Sequence, residues 1–489
     1  MQEKRNSIMK NVFHLFYSTA LSSMMNAAAL IVLASFINKG VYGKFSVVLA
    51  FAMIMAYMAE AGLNQIVLRE GAKKEASVTA IMASFIKLRL LLTAFSLLIG
   101  FLLIHWWYQG DKEFIILSYA LILPLVIGIS MQSISITYFQ MKEKMQYSGY
   151  IRIVSSILLI AFIMVGKWFA INAIVVFFLY GSAYMAAGCF GIYLTMRDQV
   201  FSFKTPFYKE IRKNWLPFMV TGFLFILLPQ IGPIILEHTL SWSEIGYFAV
   251  AYRIPQALQQ VPFIIAGAFY PVLFRLFEAG DHQGHVNKSI TQVKLMGLVG
   301  MLAALPFFHL SDIVINLLFG EKWMGASMLL KILSLVMVFQ GLSIAIGDGL
   351  TTRALQKRRM TVQGMAVVSG LILYTVCSKE YGLAGAAVAG VLVEGILLIG
   401  LLCRHPDRAS LFKRAVFPYL TFFFVGLWLI ESFFSSVPLL AFVIHLAWVL
   451  SLIWLDKEWR RKGWGVWKEV PLFRKWKTKF RKEAHDGAS

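Results

Sequence analysis

The stretch "GYFAVAYRIPQALQQVPFIIAGAFYPVLFRL" (residues 246–276) poses the question that decides the fold. It is apolar and longer than the roughly 20 residues that a helix needs to cross a bilayer. It nevertheless carries Arg253, Gln256 and Gln260, and a charge at the bilayer centre costs about 2.5 to 3.5 kcal/mol even on a lenient insertion scale. These three side chains follow the i, i+3, i+7 spacing of one helix face. We therefore expect this face to line a hydrated interior rather than lipid.

The rest of the chain has the composition of a membrane protein. Of its 489 residues, 59% are hydrophobic and 15% are charged, and the mean hydropathy is +0.70. Apolar runs of about 20 residues recur throughout, and the connectors between them are too short to bury a core. We predict an all-α integral membrane protein with about fourteen transmembrane helices. The predicted spans are about 12–37, 43–68, 80–106, 114–139, 148–165, 170–195, 214–236, 246–274, 290–319, 325–350, 362–378, 383–402, 415–434 and 437–455.

The basic residues are distributed unevenly between the two sides of the predicted membrane domain. The net charge is +21, and with both termini in the cytoplasm most of the 46 Lys and Arg residues fall in cytoplasmic segments. The external connectors hold Lys39, Lys44, Lys112, Lys167, Lys322 and Lys379. This bias sets the orientation by the positive-inside rule and accounts for most of the charge without a nucleic-acid partner. The basic and aromatic tail is predicted to lie as an amphipathic segment on anionic membrane lipids at the cytoplasmic surface.

A second stretch, "YGKFSVVLAFAMIMAYMAEAGLNQIVLRE" (residues 42–70), resembles the first. Each begins with Gly, Tyr and Phe and ends at an arginine, and the two lie six predicted helices apart. An even offset keeps both copies in one orientation, which predicts two six-helix lobes related by a pseudo-two-fold axis along the membrane normal. The lobes are residues 1–200 and 201–405, around a central cavity. Two further helices occupy 406–456, and the cytoplasmic tail is 457–489.

Other polar side chains within the predicted helices are candidates for the cavity lining. Glu60 and Asn64 are spaced i, i+4 on one face. Two carboxylates lie deepest, Glu60 and Glu394, and each either pairs with a basic residue, binds a coupling proton or sodium ion, or is protonated. Four basic residues either line the cavity or extend toward the nearer membrane surface; they are Arg89, Arg152, Lys294 and Lys331. Tyr252 is a further candidate for contact with sugar hydroxyls.

The sequence lacks the motifs of the common membrane enzymes and pumps. There is no GxxxxGK[ST] for ATP hydrolysis, and neither HExxH nor GxSxG is present. The three cysteines have neither metal-ligand nor disulfide-framework spacing. We therefore predict a transporter with no cofactor and no metal. A membrane enzyme such as a polysaccharide polymerase, and a passive scaffold in a glycan-assembly complex, are the alternatives from other classes.

Four stretches in order carry a family likeness: "YGKFS" with "AGLNQIVLREGAKK", "SWSEIGYFAVAYRIPQAL" with "GAFYPVLFRL", "LLFGEKWMGASMLLKILSL", and "EYGLAGAAVAGVLVEGILLIG". With these, the chain resembles the Wzx-type polysaccharide flippases of the multidrug/oligosaccharidyl-lipid/polysaccharide (MOP) exporter superfamily. That superfamily also includes the lipid II flippases and the MATE multidrug exporters. The resemblance implies a MATE-like fold of two six-helix lobes, often with two extra helices, and alternating access.

The resemblance also implies a substrate and residue roles. The expected cargo is an undecaprenyl-diphosphate-linked oligosaccharide, moved from the inner to the outer leaflet of a bacterial plasma membrane for surface polysaccharide synthesis. Arg253 matches a position where related flippases place a cavity arginine, and Arg69 and Arg89 resemble basic residues at the cytoplasmic mouth. The first helix offers only Asn26 and hydroxyls where lipid II flippases carry a charged pair. A lipid II flippase and a cation-coupled multidrug exporter remain alternatives, and a polysaccharide polymerase and a chain-length regulator are candidate partners.

Overall fold

A computed structural model describes residues 2–71, 77–169, 171–212, 215–456 and 458–460, and these residues form helices joined by short connectors. The predicted tail, apart from residues 458–460, lies outside the described residues. The α-helices in chain order are α1 (Gln2–Phe36), α2 (Lys39–Glu60), α3 (Leu63–Gly71), α4 (Val78–Trp107), α5 (Lys112–Met141), α6 (Met145–Trp168), α7 (Ala173–Asp198), α8 (Trp215–Leu236), α9 (Trp242–Leu258), α10 (Gln260–Glu278), α11 (His282–His309), α12 (Ser311–Phe319), α13 (Ser327–Leu333), α14 (Leu335–Thr352), α15 (Gln356–Arg404), α16 (Arg408–Leu411), α17 (Phe417–Phe434) and α18 (Pro438–Leu455).

Twelve helical segments in the described part of the chain are long and apolar enough to cross a membrane. A shorter apolar helix, Ile226–Leu236, adds to them. The prediction of an all-helical membrane protein is confirmed, since no strand occurs among the described residues. The predicted number of fourteen differs from twelve at two places, the short apolar helix and α15, whose 49 residues contain two helical arms joined at Gly382.

The helix predicted over 43–68 is broken between α2 and α3. Ala61 and Gly62 have φ values of 46° and 69°, in the left-handed region. The Ala61 N–H donates to the Tyr57 carbonyl at 2.7 Å, which closes the last turn of α2. A left-handed conformation suits glycine, whereas it costs a residue with a Cβ about 1 to 2 kcal/mol. The joint is therefore a fixed and slightly strained feature of the fold, directly after Glu60.

The helix predicted over 246–274 is also broken, between α9 and α10. Pro262 has no N–H and cannot donate to the carbonyl of Leu258, where α9 ends. A small apolar cavity of about 60 Å³ lies beside this break, lined in part by Gln259, Gly300 and Gln340. The helical hydrogen bonding is thus interrupted where Pro262 provides no donor.

Helix α15 folds back on itself at Gly382. This glycine has φ 57° and ψ −137°, outside the helical region. The guanidinium of Arg358 donates to the carbonyl of Arg404 at 3.1 Å, although these residues are at opposite ends of the segment. Val362 likewise contacts Gly400. The segment is therefore a hairpin of two antiparallel arms, which agrees with the separate helices predicted at 362–378 and 383–402.

The helices pack in two groups that meet along α2, α8 and α9. The first helix group is α1–α7 and the second is α8–α16, with α17 and α18 packed against α11. At the end of the bundle where α2 and α9 begin, a Cβ on Gly43 would lie 1.9 Å from the carbonyl oxygen of Trp242. A Cβ on Gly246 would lie 2.3 Å from the carbonyl oxygen of Lys39. The two stretches that resemble each other in sequence are thus in backbone contact, and we call this the Gly43 end.

Candidate substrate-binding site

Arg253 lies on α9, where the two helix groups meet. It is half-buried, and its guanidinium donates to the Gln256 side-chain oxygen at 2.8 Å. The two residues share a helix face, as the i, i+3 spacing predicted. No carboxylate within ion-pair distance of Arg253 occurs among the described residues. An arginine inside a membrane protein with amide but no acidic partner retains its positive charge for another anion.

Four tyrosines from the two helix groups lie within electrostatic range of Arg253. The guanidinium interacts electrostatically with Tyr42 of α2, Tyr180 and Tyr184 of α7, and Tyr252 of α9. Tyr42 and Tyr180 are almost wholly buried. Phenol groups combine an apolar ring with a hydrogen-bonding hydroxyl, so they tolerate a low-water environment while offering polar contacts. The arrangement is a cationic centre with neutral hydroxyls around it, suited to an anionic group attached to a polar molecule.

Glu394 lies next to this set, on the second arm of α15. One carboxylate oxygen accepts a hydrogen bond from the Gln340 side-chain amide at 2.9 Å, and the other has no partner among the described residues. The residue is 8% exposed. Its charge acts on both Tyr252 and Tyr374. Tyr252 is therefore influenced by Arg253 and Glu394 at once, which connects the two predicted site residues.

A second charged cluster lies inside the first helix group. The Arg89 guanidinium on α4 is 3.8 Å from the Glu60 carboxylate, and Arg152 of α6 interacts electrostatically with the same carboxylate. The Arg89 side chain is 0% exposed, and its Nε donates to the Ser130 hydroxyl at 3.1 Å. The structure thus brings together three predicted residues that are far apart in sequence, two cations with one anion.

The remaining predicted residues lie around these two clusters or at their margins. The Asn64 amide donates to the Ser133 hydroxyl at 3.0 Å, at the second residue of α3. Asn26 on α1 and Gln260 at the start of α10 are half-buried. Arg69 is exposed near the end of α3 and lies 3.3 Å from Glu70. Asn64 and Gln260 thus flank the two helix breaks.

The two lysines among the predicted site residues contact acidic residues at the C-terminal part of the chain. Lys294 of α11 is 2.7 Å from Asp456 and 2.9 Å from Glu458, and its side chain is 7% exposed. Lys331 of α13 is paired with Glu431 of α17. Both ammonium groups are therefore compensated by carboxylates on or just after α17 and α18. The structure places these lysines at the attachment of the C-terminal helices rather than with Arg253.

The Gly43 end carries further contacts between the two helix groups. Lys322 donates to the carbonyls of Ser35 and Ile37 at the end of α1, and the Trp323 indole donates to that of Ala34. These donors satisfy carbonyls that a helix end leaves free. They come from the second helix group and bind the first, so they hold the groups together at this end.

A buried carboxyl group forms a further contact between the two helix groups. Glu237, just after α8, accepts a hydrogen bond from the Tyr108 hydroxyl, just after α4, and lies 3.5 Å from His238. Burial raises the pKa of Glu237 to about 7, although the hydrogen bond from Tyr108 lowers it in part. This carboxyl therefore titrates near neutral pH at a contact between the two groups.

Of the tyrosines, the sequence singled out Tyr252 alone, and Gln340 was not among its candidates either. A signal existed for Tyr180 and Tyr184, since they are spaced i, i+4 in an otherwise apolar helix and therefore share one face. Tyr42 and Tyr374 gave no such signal, because their role follows from contacts with distant helices. No group of three or more His, Cys, Asp or Glu residues suited to a metal ion occurs in the described part of the chain.

Solved structures of membrane transporters share this fold. A structure titled "Lipid II flippase MurJ, inward closed conformation" is matched over 90% of this chain and 99% of its own, with a TM-score of 0.67 and 16% identity. A structure titled "Inward-facing conformation of a multidrug resistance MATE family transporter of the MOP superfamily" is matched over 81% of this chain and 96% of its own, with a TM-score of 0.66 and 16% identity. The fold is thus one found among multi-pass transporters of the MOP superfamily.

Sequence comparison identifies the family of the chain. Residues 8–277, more than half of the chain, match the family described as "Polysaccharide biosynthesis protein", and the chain belongs to this family. A curated relative from Haloferax volcanii, "Probable low-salt glycan biosynthesis flippase Agl15", is 26% identical over 158 residues, which is 31% of this chain. The matched region spans about a third (32%) of that relative's length.

Proposed function

We propose that this protein is a flippase that moves an undecaprenyl-diphosphate-linked oligosaccharide from the inner to the outer leaflet of a bacterial plasma membrane by alternating access. The observation that carries the proposal is Arg253, a cation without a carboxylate partner among the described residues, which interacts electrostatically with tyrosines from both helix groups. Membership of a polysaccharide biosynthesis family and the name of the partial relative support a glycan-linked cargo.

The chemistry of such a cargo fits this arrangement. A diphosphate carries close to two negative charges, and its transfer through hydrocarbon would cost tens of kcal/mol. An arginine offers paired, charge-assisted hydrogen bonds to phosphate oxygens and lowers that cost. Amides and phenols such as Gln256, Gln260 and Tyr252 can hydrogen-bond sugar hydroxyls without requiring one sugar sequence. The polyprenyl chain can remain in the lipid between the helix groups.

The architecture proposed for this activity is two lobes around a central cavity. We assign the lobes to residues 1–200 and 201–405, with two helices in 406–456 and a cytoplasmic tail in 457–489. Counting both arms of α15 and the whole of α8 gives fourteen membrane crossings. The excess of basic residues in alternate connectors places both termini in the cytoplasm, and the Gly43 end then faces outward. The contacts at that end support a conformation closed to the outside.

Within this architecture the predicted residues take different roles. We assign the diphosphate and sugar contacts to Arg253 and its neighbours, and the second cationic region to Arg89 and Arg152. Asn64, Asn26 and Arg69 lie along the route toward the cytoplasm. Lys294 and Lys331 are assigned to attachment of the C-terminal helices, because carboxylates already compensate their charges.

An electrical driving force suits an anionic cargo. An anion leaving a negative interior gains about 2.3 kcal/mol per charge per 100 mV. Glu394 is the better candidate for a coupling proton or sodium ion, since it has an unpartnered oxygen among the described residues, whereas Glu60 faces two arginines. Flipping by reconstituted protein that ignores an imposed potential and both ion gradients would contradict this coupling.

The alternatives on the same fold differ in the charge of their cargo. A multidrug exporter for organic cations calls for an acidic cavity, and Arg253, which has no acidic partner in the described part of the chain, disfavours it. A lipid II flippase would carry the same diphosphate, but α1 presents Asn26 where that class has charged residues. A polysaccharide polymerase and a chain-length regulator are the proposed protein partners, since both act on a glycan delivered to the outer leaflet.

The test is flipping of an undecaprenyl-diphosphate-linked oligosaccharide in proteoliposomes. Arg253→Ala is expected to reduce the initial rate by at least tenfold, because it removes the charge-assisted contacts, and Arg253→Lys is expected to retain part of the rate. The matched control is Lys379→Ala, which removes an exposed cation. A normal rate for correctly folded Arg253→Ala protein would refute the assignment.

A further inference from the structure

The cluster inside the first helix group has more cationic donors than its single carboxylate satisfies. Arg89 lies 3.8 Å from Glu60 and Arg152 interacts electrostatically with the same carboxylate, so two positive charges act on one negative charge. Both terminal nitrogens of Arg89 and the Nε of Arg152 have no hydrogen-bond partner among the described residues. Leaving a buried charged donor unsatisfied costs more than the 1 to 3 kcal/mol of a neutral group. The cluster therefore has unused capacity for a second anion.

The neighbouring hydroxyls fix the direction of the unused donors. The Ser130 hydroxyl accepts from the Nε of Arg89, and the Thr93 hydroxyl donates to the backbone carbonyl of Arg89 at 2.7 Å. Thr93 and Ser130 also contact each other at 2.8 Å. These contacts occupy the Nε of the guanidinium and leave both terminal nitrogens without a hydrogen-bond partner among the described residues, with Nη1 3.8 Å from Glu60. A planar pair of N–H donors matches two oxygens of a carboxylate or of a phosphate.

The carboxylate occupies the accessible side of the cluster. The Glu60 side chain is 24% exposed, whereas the Arg89 side chain is 0% exposed. The ion-pair distance of 3.8 Å is longer than the 2.7 to 2.9 Å of a close charge-assisted hydrogen bond. An anion that approaches from the open side thus meets Glu60 first and competes with it for the two arginines.

We propose that Glu60, Arg89 and Arg152 form a second phosphate-binding site, in which the Glu60 carboxylate occupies the phosphate position in the empty protein and is displaced when phosphate binds. The ligand class is a phosphate or diphosphate group, and this identity for the cargo rests on the proposed function. The site is separate from Arg253, because it is built by α2, α4, α5 and α6 within one helix group.

The position of Glu60 connects this exchange to the shape of the protein. Glu60 is the last residue of α2 and is followed by the left-handed pair Ala61 and Gly62. Displacement of its side chain removes the ion pair with Arg89 that links the end of α2 to α4. Because α2 begins at the Gly43 end, its movement reaches the contact between the two helix groups. Phosphate binding is thereby linked to opening of that contact.

The test measures binding of inorganic diphosphate to the purified full-length protein in nanodiscs at constant pH. Glu60→Gln keeps the shape of the side chain and removes the competing charge, so the affinity is expected to rise at least tenfold. Adding Arg89→Gln to this variant is expected to abolish the gain. Glu380→Gln, at an exposed acidic position, is the matched control and should leave the affinity unchanged. A purely structural role of Glu60 would weaken binding, so the direction of the change discriminates.

Two further arms separate the possible outcomes. The first repeats the binding measurement with undecaprenyl diphosphate in the nanodisc instead of the inorganic ion. A rise in affinity for both ligands assigns the site to the lipid-linked cargo. A rise for the inorganic ion alone supports the site with a free phosphate as its ligand. The Glu60→Gln/Arg253→Ala double variant should retain the gain, since the sites are separate. Unchanged or weaker binding in folded Glu60→Gln protein would overturn the proposal. Absence of flipping by the wild-type protein would refute the proposed function while leaving this binding result standing.

Discussion

The contact between α2 and α9 predicts how a single methyl group should change the balance between closed and open states. In Gly43→Ala the new Cβ would lie 1.9 Å from the carbonyl oxygen of Trp242, and the obstructing atoms belong to the backbone. Carbon and oxygen atoms in ordinary contact are more than 3 Å apart, so the two helices must separate by over 1 Å, on the scale of normal contact distances. Gly246→Ala should act in the same direction, because its Cβ would meet the carbonyl oxygen of Lys39 at 2.3 Å.

The magnitude follows from the cost of overpacking. An extra methyl in a well-packed contact costs about 1 to 3 kcal/mol. The cost falls on the closed state alone, since the contact is absent when the groups separate. The ratio of closed to open protein should therefore fall by about 5- to 150-fold. If Gly43→Ala acts this way, the protein remains folded while its conformational balance shifts.

Disulfide formation across the contact provides the assay. A Cβ at Gly40 would lie 3.7 Å from the hydroxyl oxygen of Ser243, so a Gly40→Cys/Ser243→Cys pair lies within the range of a disulfide with slight adjustment. In a protein lacking its native cysteines, this pair should crosslink rapidly, and adding Gly43→Ala should slow it. Gly395→Ala is the control, because a Cβ there meets no atom within 4 Å. An unchanged crosslinking rate in a Gly43→Ala protein of normal elution volume would refute the reasoning.

Three other predictions concern Glu237, Lys294 and Gly382. Closing buries Glu237, whose pKa is then about 7 against an ordinary value of 4.5, so closing takes up a proton and becomes more favourable as pH falls from about 7 to 4.5, by up to about 3 kcal/mol. Disulfide trapping across this pH range measures the effect, and a Glu237→Gln variant that kept the full pH dependence would contradict it. Lys294→Met removes the buried ammonium group that lies 2.7 Å from Asp456 and 2.9 Å from Glu458, and it should destabilise the protein by about 3 kcal/mol. Thermal unfolding in detergent tests this, with normal flipping per folded molecule expected, and an unchanged melting temperature would count against the assigned attachment role. Gly382→Ala forces a residue with a Cβ into a backbone conformation typical of glycine and should cost about 1 to 2 kcal/mol, measured in the same way. Equal stability of variant and wild type would show that the hairpin turn relaxes at no cost.

The sequence predicted the helices well because hydrophobic length is a local property. The separate arms of α15 and the bend near Pro262 follow from residues within the segments themselves. The break after Glu60 was missed, since one glycine in an apolar run does not reveal whether the chain continues as a helix. The contact of Arg253 with Gln256 was predictable from helical spacing for the same local reason.

The partners of the charged residues were not predictable, because they come from distant parts of the chain. Lys294 and Lys331 looked equivalent to Arg89 and Arg152 as basic residues inside predicted helices. Their acidic partners lie far along the chain: Glu458 is 164 residues after Lys294, and Glu431 is 100 residues after Lys331. Charge patterning assigns a residue to a segment and a side of the membrane, but neutralisation depends on which helices are neighbours.

One helix, α2, interacts with both cationic regions, that of Arg253 and that of Arg89 and Arg152. Helix α2 has 22 residues and is therefore about 33 Å long. Near its first turn, Gly43 contacts the second helix group, and its last residue is Glu60, which faces the two arginines of the first group. Tyr42, also near its start, interacts with Arg253. We infer that α2, which joins both cationic regions to the contact at the Gly43 end, couples phosphate binding at either region to opening of that contact, as the proposed flipping of a cargo requires.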